Sequence, residues 1–134
     1  MTDRGIQRHP ALSAYLATNR IDVPDRPDGV VVLVFDSLYR LYLLPAQRGD
    51  LVMESRLTSM PPGTREQDEL IDLALSSVAE RLATQREAIA LSEDGQRLLL
   101  QQCIPGNASL GEFESSLESF INAIADWRLI LRVN

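Results

Sequence analysis

The chain has 134 residues, enough for one domain with its own core, and its composition (45% hydrophobic, 24% charged) is typical of a folded globular protein. Its net charge is −6, and its 13 basic residues are all arginines scattered along the chain, so the basic stripe that nucleic-acid binding needs is not indicated. The absence of lysine excludes a P-loop lysine and Schiff-base chemistry, while one cysteine and one histidine exclude an intrachain disulfide and a Cys/His zinc cluster.

No apolar run approaches the about 20 residues of a membrane-spanning helix. The first ten residues, MTDRGIQRHP, lack the apolar core of a secretory signal, so we expect a cytoplasmic protein with one domain over residues 1–134 and a flexible segment at 1–9. A Cys103–His9 dyad is formally open. However, the surrounding RLLLQQCIP favours a buried strand cysteine, and the position of His9 before Pro10 favours a solvated residue preceding a helix.

The first predicted helix is HPALSAYLATNR, with Pro10 in its first turn, an apolar stripe at Leu12, Tyr15 and Leu16, and an end near Asn19. The prolines and glycine of DVPDRPDG then break regular structure. The next segment, VVVLVFDSLYRLYLLP at residues 30–45, predicts two strands joined by a tight turn at Asp36-Ser37. Both alternating sets of its residues are apolar, so a second covering surface is needed besides the core.

The segment LVMESRLTSM predicts a third strand with one apolar face, after a loop in which Gly49 can adopt a positive φ. A second helix follows PPG: Thr64 and Gln67 have capping-box spacing, and the acidic residues near its start suit the helix dipole better than a catalytic or metal-binding carboxylate pair. Its apolar stripe is wider than packing on one sheet requires, which indicates a further partner surface.

The segment AIALSEDGQRLLLQQCIP predicts a hairpin that turns at Asp94-Gly95. The last helix has a capping box at Ser109 and Glu112 and an apolar stripe in which Trp127 is a core anchor. The predicted fold is therefore α+β: a five-stranded antiparallel sheet with three helices in the order α-β-β-β-α-β-β-α.

This element order on an acidic chain of this length resembles the class I type III secretion chaperones, the Tir-chaperone (CesT) family. The likeness covers residues 11–131 and is carried by VVVLVFDSLYRLYLLP, LTSMPPGTREQDELIDLAL, LSEDGQRLLLQQCIP and SLESFINAIADWRLIL, the last containing the pair Trp127-Arg128. The chain departs from the family in AERLATQREA, where the second helix often ends near an asparagine, and in the proline-rich DVPDRPDG.

The resemblance implies a bacterial, cytoplasmic, non-enzymatic homodimer that uses no ATP and no cofactor. Such a chaperone holds an N-terminal segment of a type III secretion effector in extended form, keeps it soluble, and delivers it to the export apparatus, where the secretion ATPase or sorting components are further expected partners. Neither nucleic acid nor a membrane is an expected partner.

Two sets of residues are candidates for these contacts. The client-binding candidates lie on the first helix and the first hairpin: Leu12, Tyr15, Leu16, Val32, Val34, Tyr39 and Tyr42. The dimer candidates lie on the second helix and the last strand: Leu75, Val78, Leu82, Leu99 and Cys103. For every one of these residues, packing inside the monomer is the competing interpretation.

Three other functions remain open at this point. The chain could be one subunit of a heterodimeric chaperone or a regulatory partner in the same secretion system. It could also be a small enzyme that uses carboxylates alone, although its acids cluster at helix starts. Finally, it could be a module that binds a small ligand, which would require an enclosed cavity in the monomer.

Overall fold

A computed structural model describes residues 8–81 and 87–131. Within them the chain forms an antiparallel five-stranded sheet and three α-helices, so the predicted fold class and element order are confirmed. The elements are α1 (Pro10–Thr18), β1 (Val31–Phe35), β2 (Tyr39–Pro45), β3 (Leu51–Ser59), α2 (Thr64–Arg81), β4 (Ala88–Leu91), β5 (Arg97–Ile104) and α3 (Leu110–Ile130).

The strands lie in the order β1-β2-β3-β5-β4, so β1 and β4 form the two edges of the sheet. The central pair is β3 and β5, which are separated in sequence by α2 and β4. The pairs β1–β2, β2–β3 and β4–β5 join consecutive antiparallel strands, whereas β3 and β5 are joined by a longer connection. The β1–β2 hairpin therefore lies at one side of the sheet and the β4–β5 hairpin at the other.

The first hairpin turns at the predicted position. Asp36 and Ser37 have φ angles of 55° and 54°, and the amide of Leu38 donates to the carbonyl of Phe35 at 3.0 Å. Two consecutive residues with positive φ are typical of a type I′ turn, whose twist matches that of the flanking strands. The turn pairs Val31 with Leu43, and this register decides which residues of VVVLVFDSLYRLYLLP face the core.

His9, expected to be solvated, is instead buried, with 5% of its surface exposed. Its Nδ1 accepts a hydrogen bond from the amide of Ala11 at 3.1 Å, so the side chain caps α1, and its Nε2 lies 2.7 Å from the carbonyl oxygen of Pro105. Because Nδ1 acts as an acceptor, Nε2 carries the proton and donates to Pro105. The prediction failed because the partner that buries His9 is 96 residues away in sequence.

The starts of the two longer helices differ. In α2 the capping-box prediction was wrong: Thr64 is the first helical residue, the carbonyl of Gly63 accepts from the amide of Gln67, and the side chain of Gln67 donates to Pro61. In α3 the prediction is confirmed. The amide of Glu112 donates to Ser109 Oγ at 3.1 Å, and the amide of Ser109 donates to Glu112 Oε1 at 2.8 Å.

The core lies between one face of the sheet and the pair α1 and α3. Trp127 is fully buried within it, which confirms its role as a core anchor. The predicted stripe of α3 supplies the rest of the helical contribution, from Phe113 to Leu131. We call the covered side of the sheet the inner face and the opposite side the outer face.

Candidate partner-binding surface

Alternation along the strands assigns each residue of the first hairpin to one face. Val31, Leu33, Leu41 and Leu43 lie on the inner face and are buried in the core. Their neighbours Val32, Val34, Tyr42 and Leu44 lie on the outer face, where Val34 is 55% exposed and the other three are partly exposed. The two alternating apolar sets of the hairpin therefore have different environments: one set belongs to the core, and the other is accessible surface.

The strand register continues this accessible surface across the sheet. One row on the outer face runs from Val32 through Tyr42, Glu54 and Gln101 to Ala88. A second row joins Leu44, Val52 and Cys103. The outer face is thus an apolar surface at the side of β1 and β2, with polar residues in the middle of the sheet.

Two polar contacts organise the middle of the outer face. The guanidinium of Arg56 lies over the ring of Tyr42, 5.1 Å from its centroid, and Gln101 Nε2 donates to Glu54 Oε1 at 2.8 Å. A cation over an aromatic ring leaves the other ring face and the hydroxyl group available for contacts. Tyr42 is therefore held in place by Arg56 while it remains accessible.

The structure does not bring the seven client-binding candidates together. Val32, Val34 and Tyr42 share the outer face, whereas Leu12 and Leu16 are buried in the core and are not accessible in the monomer. Tyr15 packs on Phe113 of α3 with ring centroids 5.3 Å apart, and its burial together with the charge of Glu114 raises the pKa of its hydroxyl group.

Tyr39, the remaining client-binding candidate, belongs to the inner side of the sheet. It pairs with Phe35 next to the turn, and the guanidinium of Arg128 lies 5.3 Å from its ring centroid. Arg128 Nε is buried and forms no hydrogen bond with the described part of the chain. Tyr39 therefore attaches the tip of the hairpin to the end of α3.

The dimer candidates on α2 occupy different environments. Within residues 64–79, Ala74 is the buried residue of this helix, Val78 is partly buried against the core, and Leu75 is 63% exposed. Leu73, on the other flank of the buried side, is 40% exposed. The apolar stripe of α2 was predicted to be wider than one packing surface needs, and the extra width corresponds to exposed leucines on both flanks of its buried side. Leu82 lies outside the described residues.

The dimer candidates on β5 also differ from each other. Leu99 is buried and pairs with Arg56 and Ala90, whereas Cys103 is exposed on the outer face, so its predicted burial was wrong. Partial burial, and to a smaller extent the charge of Asp50, raise the pKa of the Cys103 thiol. The error arose because an apolar run such as RLLLQQCIP does not reveal which strand face a helix covers.

Other exposed apolar residues were absent from the predicted sets. Leu38 at the hairpin turn, Leu91 at the end of β4 and Leu129 on α3 all have large exposed fractions. Leu38 could have been found from its turn position, since turn residues are solvent-exposed. Leu129 follows Trp127-Arg128 and lies off the buried stripe, which the helical period already indicates.

None of the helices in residues 8–81 and 87–131 combines the length and the apolar character needed to cross a bilayer. Over the same residues, no group of three or more histidine, cysteine, aspartate or glutamate side chains could hold a metal ion.

Several solved structures have a similar fold. A chain from the Yersinia pestis type III secretion chaperone SycH in complex with a fragment of YscM2 aligns with a TM-score of 0.64 and 15% identity, covering 88% of this chain and 97% of that one. A chain from the HopA1–SchA chaperone–effector complex aligns with a TM-score of 0.66 and 18% identity, covering 88% and 90%. A chain from the heterodimeric ExoU–SpcU complex of the Pseudomonas aeruginosa type III secretion system aligns with a TM-score of 0.67 and 16% identity, covering 90% and 98%.

At such identities these likenesses establish the fold alone. No curated protein matches the sequence significantly. The sequence itself matches the sequence model of one protein family over residues 12–128, which is most of the chain. On that match, the chain belongs to the Tir chaperone protein (CesT) family.

Proposed function

We propose that this protein is a cytoplasmic, homodimeric chaperone that binds an N-terminal segment of a type III secretion effector in extended form. It keeps this client soluble and competent for export, and it acts without ATP and without catalysing a reaction. The observation that carries the proposal is the accessible apolar outer face of the first hairpin, at Val32, Val34 and Tyr42, in a member of a chaperone family. The similar fold found in a chaperone–effector complex supports it.

The edge position of β1 suggests how an extended client is held. One side of β1 pairs with β2, and the other side lies at the edge of the sheet. An added strand would satisfy its backbone groups at this edge, while its alternate side chains would reach Val32 and Val34. The opposite edge is less suitable, because β4 has only four residues and contacts α2.

The client contact is tested with a defined partner: the N-terminal segment of the protein encoded beside this gene, fused to a carrier protein. Val34→Asp places a charge on the outer face and should weaken capture by tenfold or more, which corresponds to about 1.4 kcal/mol. Leu129→Asp is the matched control, since it changes a more exposed apolar residue on α3. Equal capture by wild type and both variants would contradict the proposed surface.

The dimer is proposed to form through α2, around Leu75 and Val78, with Cys103 of β5 alongside. Light scattering at micromolar concentration should give twice the chain mass of 14.9 kDa. Leu75→Asp should shift this mass toward the monomer, whereas Leu129→Asp should not. A monomeric wild type that is stable alone would rule out the homodimer, and a chain that becomes soluble only with a second chaperone subunit would favour the heterodimer.

A further inference from the structure

An open groove lies near the start of α1, away from the three client-contact residues of the outer face. It has a volume of about 670 Å³ and is lined by three segments that are distant in sequence: residues 8–10, 48–50 and 105–107. We call it the corner groove. Its lining includes neither β1 nor α2, so the proposed client and dimer surfaces leave it unassigned.

Hydrogen bonds fix the three walls of the corner groove to one another. The amide of Gly106 donates to Asp50 Oδ1 at 2.8 Å, and His9 Nε2 donates to the carbonyl of Pro105 at 2.7 Å. A Cβ at residue 106 would lie only 3.0 Å from the carbonyl oxygen of Gly49, so the walls also approach as closely as glycine allows. The groove is therefore preformed, which lowers the entropy lost when a ligand binds.

The charge of the corner groove is opposite to that of the protein. Its lining contains two arginines, Arg8 and Arg48, and one acid, Asp50, in a chain with a net charge of −6. One carboxylate oxygen of Asp50 is occupied by the amide of Gly106. Arg8 has a long contact of 3.7 Å with exposed Asp25, and Arg48 forms no ion pair with the described part of the chain.

Two further cavities adjoin the corner groove and share lining residues with it. One, of about 360 Å³, extends past Asn107 toward the first turns of α3. The other, of about 270 Å³, extends past His9 and is partly apolar, with Pro45 and Ala46 as the accessible apolar residues of its lining. A cationic centre with an apolar extension on one side suits a short extended chain better than a small isolated anion.

We propose that the corner groove binds an extended peptide segment carrying an aspartate or glutamate, whose carboxylate is held by Arg8 and Arg48 while a neighbouring apolar side chain contacts the accessible lining at Pro45 and Ala46. Arginine suits this role because its planar donors match a carboxylate. That the segment belongs to the secreted client rests on the proposed function. This basic groove then gives the chaperone a second contact with its client besides the outer face.

The test uses two synthetic peptides, acetyl-Ala-Val-Asp-Val-Ala-amide and its Asn counterpart, titrated into isotopically labelled protein and followed by NMR. The Asp peptide should shift the amide signals of Gly49 and Gly106 and bind about threefold to tenfold more tightly than the Asn peptide, as expected for a partly exposed charged contact. Equal binding of the two peptides, or no shift at these amides, would overturn the proposal. Inorganic phosphate that binds more tightly than the Asp peptide would also overturn it, since the groove would then be a general anion site.

Arg48→Asn should abolish the preference for the Asp peptide. Arg48 has a φ of 61°, a conformation that asparagine tolerates, so this change removes the charge with little backbone strain. Arg20→Asn is the matched control: Arg20 is an exposed arginine with a φ of 54° that lines none of the three cavities. Loss of the preference in both variants would contradict a role specific to Arg48.

The two proposals fail in different ways. If wild type captures its client at full strength but the peptides show no carboxylate preference, only the corner groove is wrong. If wild type shows the carboxylate preference but no effector segment is captured, the chaperone function is wrong and the groove serves another peptide.

Discussion

The two faces of the sheet are made from the same strands, often from adjacent residues, yet they differ in how far they are exposed. On the inner face, Leu41 and Leu43 are fully buried beneath the helices. On the outer face, Val34 and Tyr42 remain accessible, and Arg56 rather than a helix lies against Tyr42. The difference shows that hydrophobicity alone does not identify core residues. Exposed apolar residues that share one surface are typical of a site that contacts a partner.

The most direct way to break this comparison is to truncate adjacent leucines on β2. Leu43→Ala on the inner face should lower the free energy of unfolding by about 2–5 kcal/mol, because it leaves a cavity in the core. Leu44→Ala on the outer face should lower it by about 1 kcal/mol or less, since that side chain is already partly exposed. Urea unfolding of both variants measures the difference. Equal losses would mean that the outer face is as well covered in solution as the inner one.

A second prediction concerns the walls of the corner groove, which are packed closely although the groove itself is open. Gly106→Ala should lower the free energy of unfolding by about 1–3 kcal/mol, because the new methyl group meets backbone oxygens of Arg48 and Gly49 that cannot move independently. Gly111→Ala, whose Cβ would meet nothing closer than Ser109 Oγ at 4.0 Å, should instead stabilise the protein by about 0.4–1 kcal/mol. Thermal unfolding distinguishes them, and a harmless Gly106→Ala would indicate loosely held walls.

The two arginine–tyrosine contacts allow the faces to be compared with the same chemistry. Double-mutant cycles to alanine should give a coupling energy of about 0.5–1 kcal/mol for Arg56–Tyr42 on the outer face, and up to about 2 kcal/mol for Arg128–Tyr39, where part of the guanidinium is desolvated. A stronger coupling on the outer face would show that water does not reach Tyr42 as the structure indicates.

The smallest effect is expected at Cys103, the single thiol on the outer face. Because burial and Asp50 raise its pKa, the thiolate fraction at pH 8 is lower than that of a free cysteine, and iodoacetamide should react more slowly. Asp50→Asn keeps an acceptor for the Gly106 amide but removes the charge, and it should speed the reaction, whereas Asp94→Asn should not. Mass spectrometry measures the rates. Slowing that grows with protein concentration would place Cys103 in the proposed dimer interface.

Local patterns in the sequence predicted the parts of the fold that depend on near neighbours. The capping box at Ser109, the stripe of α3 and the turn at Asp36-Ser37 are all confirmed, since each involves residues close in sequence. The burial of His9 could not be predicted, because the carbonyl to which it donates belongs to Pro105, 96 residues away in sequence. The candidate site was only partly predictable for a related reason: alternation separates Val32 from Leu33, but it does not say which of them a helix will cover.

The buried cap at His9 also gives the protein a built-in spectroscopic probe. It is the only histidine of the chain, so its imidazole signals can be assigned without mutagenesis. Since Nδ1 accepts from Ala11 and Nε2 donates to Pro105, the ring nitrogens should have the distinct ¹⁵N shifts of a single neutral tautomer. Those two signals follow a wall of the corner groove directly, and they report whether a bound peptide leaves that wall intact.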